Sequence, residues 1–461
     1  MNENGSYKNL NIIKNKLNKH QTPVTNIYEE GYFIRYKKFV EAKDIVEIYE
    51  SSQILKLFFN KIRENDINPI DISYMNLNIL IDHCIIYLEH DQATFKLIMN
   101  LYDLLSGIGW YLSPCNPFDK YPKLFELIKR HIESGNGNVI ASIFEFIQFT
   151  LDEKGRFFNE DALKILNLDI VKNLIEDENT SFIVKESISN FIYTLCLRDI
   201  KINTAYTLVT FIRKMLNNSD DESCYASCWG LYNLIAKFKI NLKNNIIENN
   251  FGDAFSRCLS FSIDKLNDII FLLIGCISFL YINIEKIPYD KLVIKDNFTS
   301  NSPNIKTHLL FCLSNLFYLC MSSNNIDQEK IGYIKEMIDY TIEYILYGEF
   351  EVSYYSARIF PKMFLSFEPF YLSDSLSNKY SLIHTLLKTI NKVLTFEITL
   401  DVFDDAITVV EKTLKFAQDN NNVQTFINSF FELDIISTIN SFQEENYSKL
   451  PTRLDFIKSI L

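Results

Sequence analysis

Glycine and proline are scarce in this 461-residue chain, at 12 and 10 residues, well below the roughly 7% and 5% of ordinary usage. Sheet-rich folds spend those residues on their turns, so the shortage points to an all-helical protein. Tryptophan is scarcer still, at 2. Basic residues are outnumbered, 46 Lys and Arg against 58 Asp and Glu, for a formal charge of -12. A surface field of that sign repels nucleic acid and anionic membranes and suits a basic partner. The longest apolar run, Ile269 to Ile282, has 14 residues, whereas a membrane span needs about 18 to 20; it reads as a buried helix.

Signatures of catalysis and metal binding are missing too. There is no glycine-rich phosphate loop and no G-x-S-x-G elbow. The six histidines are scattered, and only His83 and His90 share a helical face, so no metal site is expected. Nine cysteines include no CxxC pair, and the N-terminus has no secretory pattern, which suits a reduced, intracellular chain with core thiols. Cys224 and Cys228 are four apart without His partners and read as buried thiols. The sequon at Asn297 is what an asparagine-rich sequence yields by chance. Neither an enzyme nor a cofactor is expected.

What is present is helical periodicity. After a polar start, apolar segments with helical spacing run from about Tyr32 to the last residue, separated by short Asn/Asp/Gly/Ser breaks. One segment type recurs, with register positions at Phe58, Met99, Phe144, Asn190, Trp229, Leu272, Phe311 and Arg358, 39 to 47 residues apart. That period belongs to HEAT and armadillo repeats, whose units bury their apolar faces only by stacking. In SCWGLYNL, Trp229 and Asn233 are four apart and share a helix face; in IKTHLLFCLSNL, Phe311 and Asn315 repeat that geometry.

These pairs resemble the repeats of the importin alpha family, which carry Trp and Asn at this spacing. The resemblance extends along the chain. CIIYLEHDQATFKLIMNLYDLLSG (Cys84 to Gly107) resembles the second armadillo repeat, and EFEV with Ala357 the eighth. VVEKTLKFAQDN and the closing FINSFFELDIISTINSFQEENYSKLPTRLDFIKSIL, with its Gln443 to Asn446 element, resemble the ninth and tenth. The resemblance implies an all-α, right-handed armadillo-repeat superhelical solenoid of about ten repeats over residues 32–461; the residues before it, 1–31, read from their own composition as a polar, disordered arm. The resemblance further implies an adaptor that binds basic nuclear localisation signals in a concave groove for protein import, working in cytoplasm and nucleus. Importin beta and an export receptor are the further partners it implies, with no nucleic acid and no membrane insertion.

Carried over residue by residue, the expected peptide-binding positions are Asp103, Gly107, Gln148, Asp152, Trp229, Asn233, Phe311 and Asn315. A groove tryptophan offers a π face to a lysine stem and ammonium. An asparagine one turn on can donate to and accept from an extended backbone. Asp152 matches the family's acidic residue for the key signal lysine, Gly107 matches a groove glycine, and Asp103 stands where the family has asparagine.

The pattern also departs from the family. The register places of the second to fourth repeats hold Met99, Phe144 and Asn190, with Thr194 at an asparagine place. The sixth keeps Gly275 beside Leu272 and Cys276, and the eighth has Arg358 and Lys362, cations that repel a basic peptide. Trp110 falls off register in a turn-like SGIGWYLS. The first forty residues hold dispersed basic residues and no dense cluster for importin beta. Two alternatives therefore stay open: Trp229 as a core aromatic with Asn233 a surface amide, and an armadillo scaffold whose degenerate groove takes a different partner.

Overall fold

The computed structural model of the chain describes residues 32–63, 75–112, 117–150, 165, 168–280, 302–322, 328–374 and 379–446. These residues are helical, with short turns and no strand among them. The arm expected over 1–31 lies outside them, and the first described residue, Tyr32, opens the first helix. None of the described helices is long and apolar enough to cross a membrane. Contacts divide the chain into two compact units, Met1–Ile165 and Leu166–Leu461.

In the first unit lie α1 (Tyr32–Glu41), α2 (Ile45–Arg63), α3 (Leu77–Leu88), α4 (Phe95–Leu112), α5 (Pro122–Glu133) and α6 (Gly137–Thr150). The polar breaks in the sequence start these helices. Asp44 accepts from the amides of Val46 and Glu47 at 2.9 Å, and Asn76, Thr94 and Asn136 each accept from the amide three residues on, satisfying donors that a helix start leaves orphaned. The helices that carry the register positions, α2, α4 and α6, pack one on the next, and α1, α3 and α5 back them in a second layer.

In the second unit lie α7 (Asp169–Glu176), α8 (Phe182–Leu197), α9 (Ile202–Asn218), α10 (Asp221–Phe238), α11 (Lys243–Asn249), α12 (Gly252–Leu259) and α13 (Asp264–Phe279). They continue with α14 (Pro303–Ser322), α15 (Gln328–Tyr347), α16 (Phe350–Asp374), α17 (Lys379–Leu394), α18 (Leu400–Asp419), α19 (Val423–Glu432) and α20 (Ile435–Asn446). The same order holds here. The register helices α8, α10, α13, α14 and α16 pack in sequence, with α18 beyond, while α9 and α12, and then α15, α17 and α19, form the backing layer. A repeat of one register helix plus its backing is what the forty-residue period demands.

With glycine scarce, other residues take the left-handed turns. Asn250, Ser262, Asn421 and Asp434 have φ of 41° to 57°, a region that Asn and Asp tolerate best among non-glycine residues. Cations from neighbouring repeats close the carbonyl ends of helices. Arg257 donates to Leu216 O at 2.9 Å and Ser219 O at 2.6 Å, and buried Lys185 donates to Asn218 O at 2.5 Å. Lys237 does the same for Cys196 and Arg198, Arg213 for Asn249 and Asn250, and Arg130 for Leu88. A positive charge there meets both the free carbonyls and the negative end of the helix dipole.

Candidate functional site

In the first unit the expected site residues are engaged by the chain itself. Asp103, on α4, forms a half-buried ion pair with Lys56 of α2, so its carboxylate is committed in cis and is not held open for a ligand. Gly107 is buried between α4 and α2, where an added Cβ would stand 2.6 Å from the Phe59 Cβ. It is a packing position of two crossing helices, where the expectation was a groove glycine. Phe58 and Phe144 are fully buried, whereas Gln148 is half-buried near the end of α6. Asp152 lies outside the described residues. SGIGWYLS is helical through Leu112, and Trp110 is exposed on α4. Contacts of α4 with α2 and α6 outweigh the weak helix propensity of its two glycines.

The second unit keeps an open constellation on α10. Asp220 caps this helix, accepting from the Ser223 amide at 3.0 Å and the Ser223 hydroxyl at 2.9 Å. Asp221 and Glu222 follow in the first turn, where the helix dipole favours negative charge. Cys224, Cys228, Leu231 and Ile235 form the buried face, and Gly230 faces Cys196 and Tyr193 of α8, where a Cβ would make ordinary contacts at 3.4 and 3.6 Å. Glu222, Tyr225, Trp229 and Asn233, spaced three or four apart, are all half-buried, as is Tyr232, three beyond Trp229.

On that face the rings are set edge to face. Trp229 stands 6.4 Å from Tyr225 and 5.5 Å from Tyr232, centroid to centroid, at interplanar angles of 85° and 86°. Burial, with Cys276 of α13 adding to it, pushes the Tyr232 phenol above its ordinary value. The Asn233 amide donates to Trp229 O at 2.8 Å, and Asn315 donates to Phe311 O at 2.9 Å. Each back-bond uses one amide proton and fixes the side chain, leaving the second proton and Oδ1 for a peptide backbone.

Phe311 leans onto the preceding register helix, where a Cβ on Gly275 would meet its ring at 2.5 Å. Thr194 is buried, with its hydroxyl bonded to Asn190 O at 2.9 Å. Arg358 and Lys362 are exposed on α16, and the Arg358 guanidinium lies 5.6 Å over the Tyr354 ring.

Sequence reasoning missed the partners of these residues. Lys265, on α13, reaches back one repeat to place its ammonium 2.5 Å from Glu222 Oε1 and 5.2 Å from the Tyr225 ring centre. A lysine one repeat downstream of an acid on the register helix was the available signal. The same pattern recurs where His308 of α14 bonds Asp268 of α13 at 2.6 Å and Lys412 of α18 pairs with Glu368 of α16 at 3.4 Å.

No family model matches the chain, and no curated protein matches it significantly. Solved structures do resemble it. The crystal structure of an engineered protein gives a TM-score of 0.52 at 11% identity, over 87% of this chain and 98% of the other. A structure from work on the phosphorylation switch that controls the interaction between cadherin and beta-catenin gives 0.51 at 11% identity, over 97% and 93%. Beta-catenin is an armadillo-repeat protein, and the likeness is one of fold alone: this chain has an all-α, armadillo-like helical-repeat fold.

Proposed function

We propose that the chain is a protein-interaction adaptor that takes an extended basic segment of a partner along the register helices of its second unit, as the importin alpha resemblance implies. The observation that carries this reading is the half-buried Trp229 with Asn233 fixed one turn on. An aromatic face takes the stem and charge of a lysine or arginine, and a fixed amide takes a backbone without demanding a sequence. The formal charge of -12 draws basic ligands in. On this reading the ligands are nuclear localisation signals, and the adaptor works between cytoplasm and nucleus, with importin beta and an export receptor as its further partners.

The test is fluorescence anisotropy of a labelled Lys/Arg-rich signal peptide at two salt concentrations, followed by nuclear accumulation of a reporter carrying that peptide. Saturable binding that Trp229→Ala weakens by about fivefold or more, the scale of one lost cation–π contact, supports the reading. Binding that is absent, or indifferent to Trp229→Ala, removes it.

A second reading is a scaffold with the same fold and a non-basic ligand. The Lys56–Asp103 pair and the exposed Arg358 and Lys362 favour it, because they remove negative charge from one register helix and add positive charge to another. A labelled acidic peptide that binds and is released by Arg358→Glu with Lys362→Glu would establish it.

A further inference from the structure

We infer that Glu222, Tyr225 and Trp229 form a seat for one cationic side chain of the ligand, preferring arginine to lysine, and that Lys265 holds this seat in the free protein as a built-in competitor. The inference rests on the basic-ligand reading above and names a residue that acts against it. The chain itself shows that the seat accepts an alkylammonium: Lys265 Nζ is 2.5 Å from Glu222 Oε1 and 5.2 Å from the Tyr225 ring centre. Trp229, one turn further along α10, sets its ring nearly perpendicular to Tyr225 at 6.4 Å and continues the aromatic surface away from the carboxylate. An aromatic surface beside a carboxylate attracts organic cations.

Lys265 is held loosely enough to leave. Its side chain is 42% exposed, and both its contacts are of the solvent-screened kind that contributes little. The preference for arginine comes from the Tyr225 ring, over which Lys265 places its ammonium at 5.2 Å while it engages Glu222 Oε1. A guanidinium is planar and more weakly hydrated than an ammonium, so it stacks on an aromatic ring while still donating to the same carboxylate oxygen. An arriving arginine therefore gains at the ring what Lys265 cannot supply, and the lysine stem swings into solvent.

The experiment uses the full chain and two fluorescein-labelled peptides of equal length and charge, one with arginine and one with lysine at every basic position. The variants are Lys265→Ala, Lys265→Ala with Trp229→Ala, and Lys123→Ala, which makes the same change in net charge in the first unit. Lys265→Ala is expected to tighten binding about fivefold, the scale of one exposed cation–π contact, with Lys123→Ala without effect, the double variant losing the gain, and the arginine peptide bound more tightly throughout. If the peptides bind wild type and Trp229→Ala weakens them, but Lys265→Ala does no more than Lys123→Ala or the peptides bind equally, the seat is overturned and the adaptor reading stands. If no variant binds either peptide, both are overturned together.

Discussion

Cys84, Cys196, Cys224, Cys228 and Cys312 are buried, and burial pushes their thiols far above the ordinary value; at Cys224 the hydrogen bond that its thiol donates to Cys258 contributes most. Half-buried Cys276 is pushed up to about 11 by burial. Because the thiolate is the reacting species, these cysteines are expected to resist iodoacetamide in the native protein and to alkylate fully in urea, with Cys276 first, as peptide mass spectrometry would read site by site. His131 behaves in the opposite sense. It lies in the core with Nδ1 2.9 Å from the Tyr102 hydroxyl, and burial, reinforced by Arg130, lowers it from 6.5 to about 4. The folded state thus holds His131 neutral where the unfolded chain already binds a proton. Its contribution is intact above pH 6.5 and is lost as pH falls from 6.5 towards 4, by about 3 kcal/mol at most. His131→Phe is expected to lower stability at neutral pH, by leaving the Tyr102 hydroxyl unpaired, and to flatten the urea midpoint across that window.

At the scale of elements, two glycines set how closely register helices cross. Gly107 meets Phe59 at its Cβ, an atom too near the backbone to swing aside, and Gly275 meets both the Phe311 ring and the Cys312 backbone. Gly107→Ala gains up to about 1 kcal/mol of helix propensity but forces α4 off α2, at about 1–3 kcal/mol for overpacking. A net loss of about 1 kcal/mol in urea unfolding is expected. These glycines also show where sequence reading stops. A spacing of four places Trp229 and Asn233 on one face without any structure, because helix geometry alone dictates it. The forty-residue period likewise reveals a stacked array. Whether a glycine lines a groove or seats a phenylalanine depends on the neighbouring helix, and that neighbour lies a repeat away in the chain. Lys265 was hidden for the same reason: it lies 43 residues downstream of Glu222, and the pairing shows only when the two repeats are laid in register. SGIGWYLS misled in the other direction, since local propensity suggested a turn where packing on both sides sustains a helix.

For the molecule as a whole, stacking means that each repeat depends on its neighbours and on little else. Unfolding is then expected to proceed in parts. Each compact unit contains one of the two tryptophans, Trp110 in the first and Trp229 in the second, so Trp229→Phe and Trp110→Phe each leave a reporter for one unit. Urea transitions followed by the two reporters are expected to differ in midpoint; coincident curves would mean a single cooperative block.

The cations that close helix ends carry a consequence for synthesis. The carbonyls at the end of α8 wait for Lys237, about forty residues later, and Leu216 and Ser219 at the end of α9 wait for Arg257, whereas Lys185 is already made when Asn218 emerges and Arg213 when Asn249 and Asn250 do. On the ribosome some helix ends are therefore sealed by a cation already in place, and others stay open until the next repeat has been made. A pause in translation between α9 and α12 would leave a nascent chain with Leu216 and Ser219 still without their arginine.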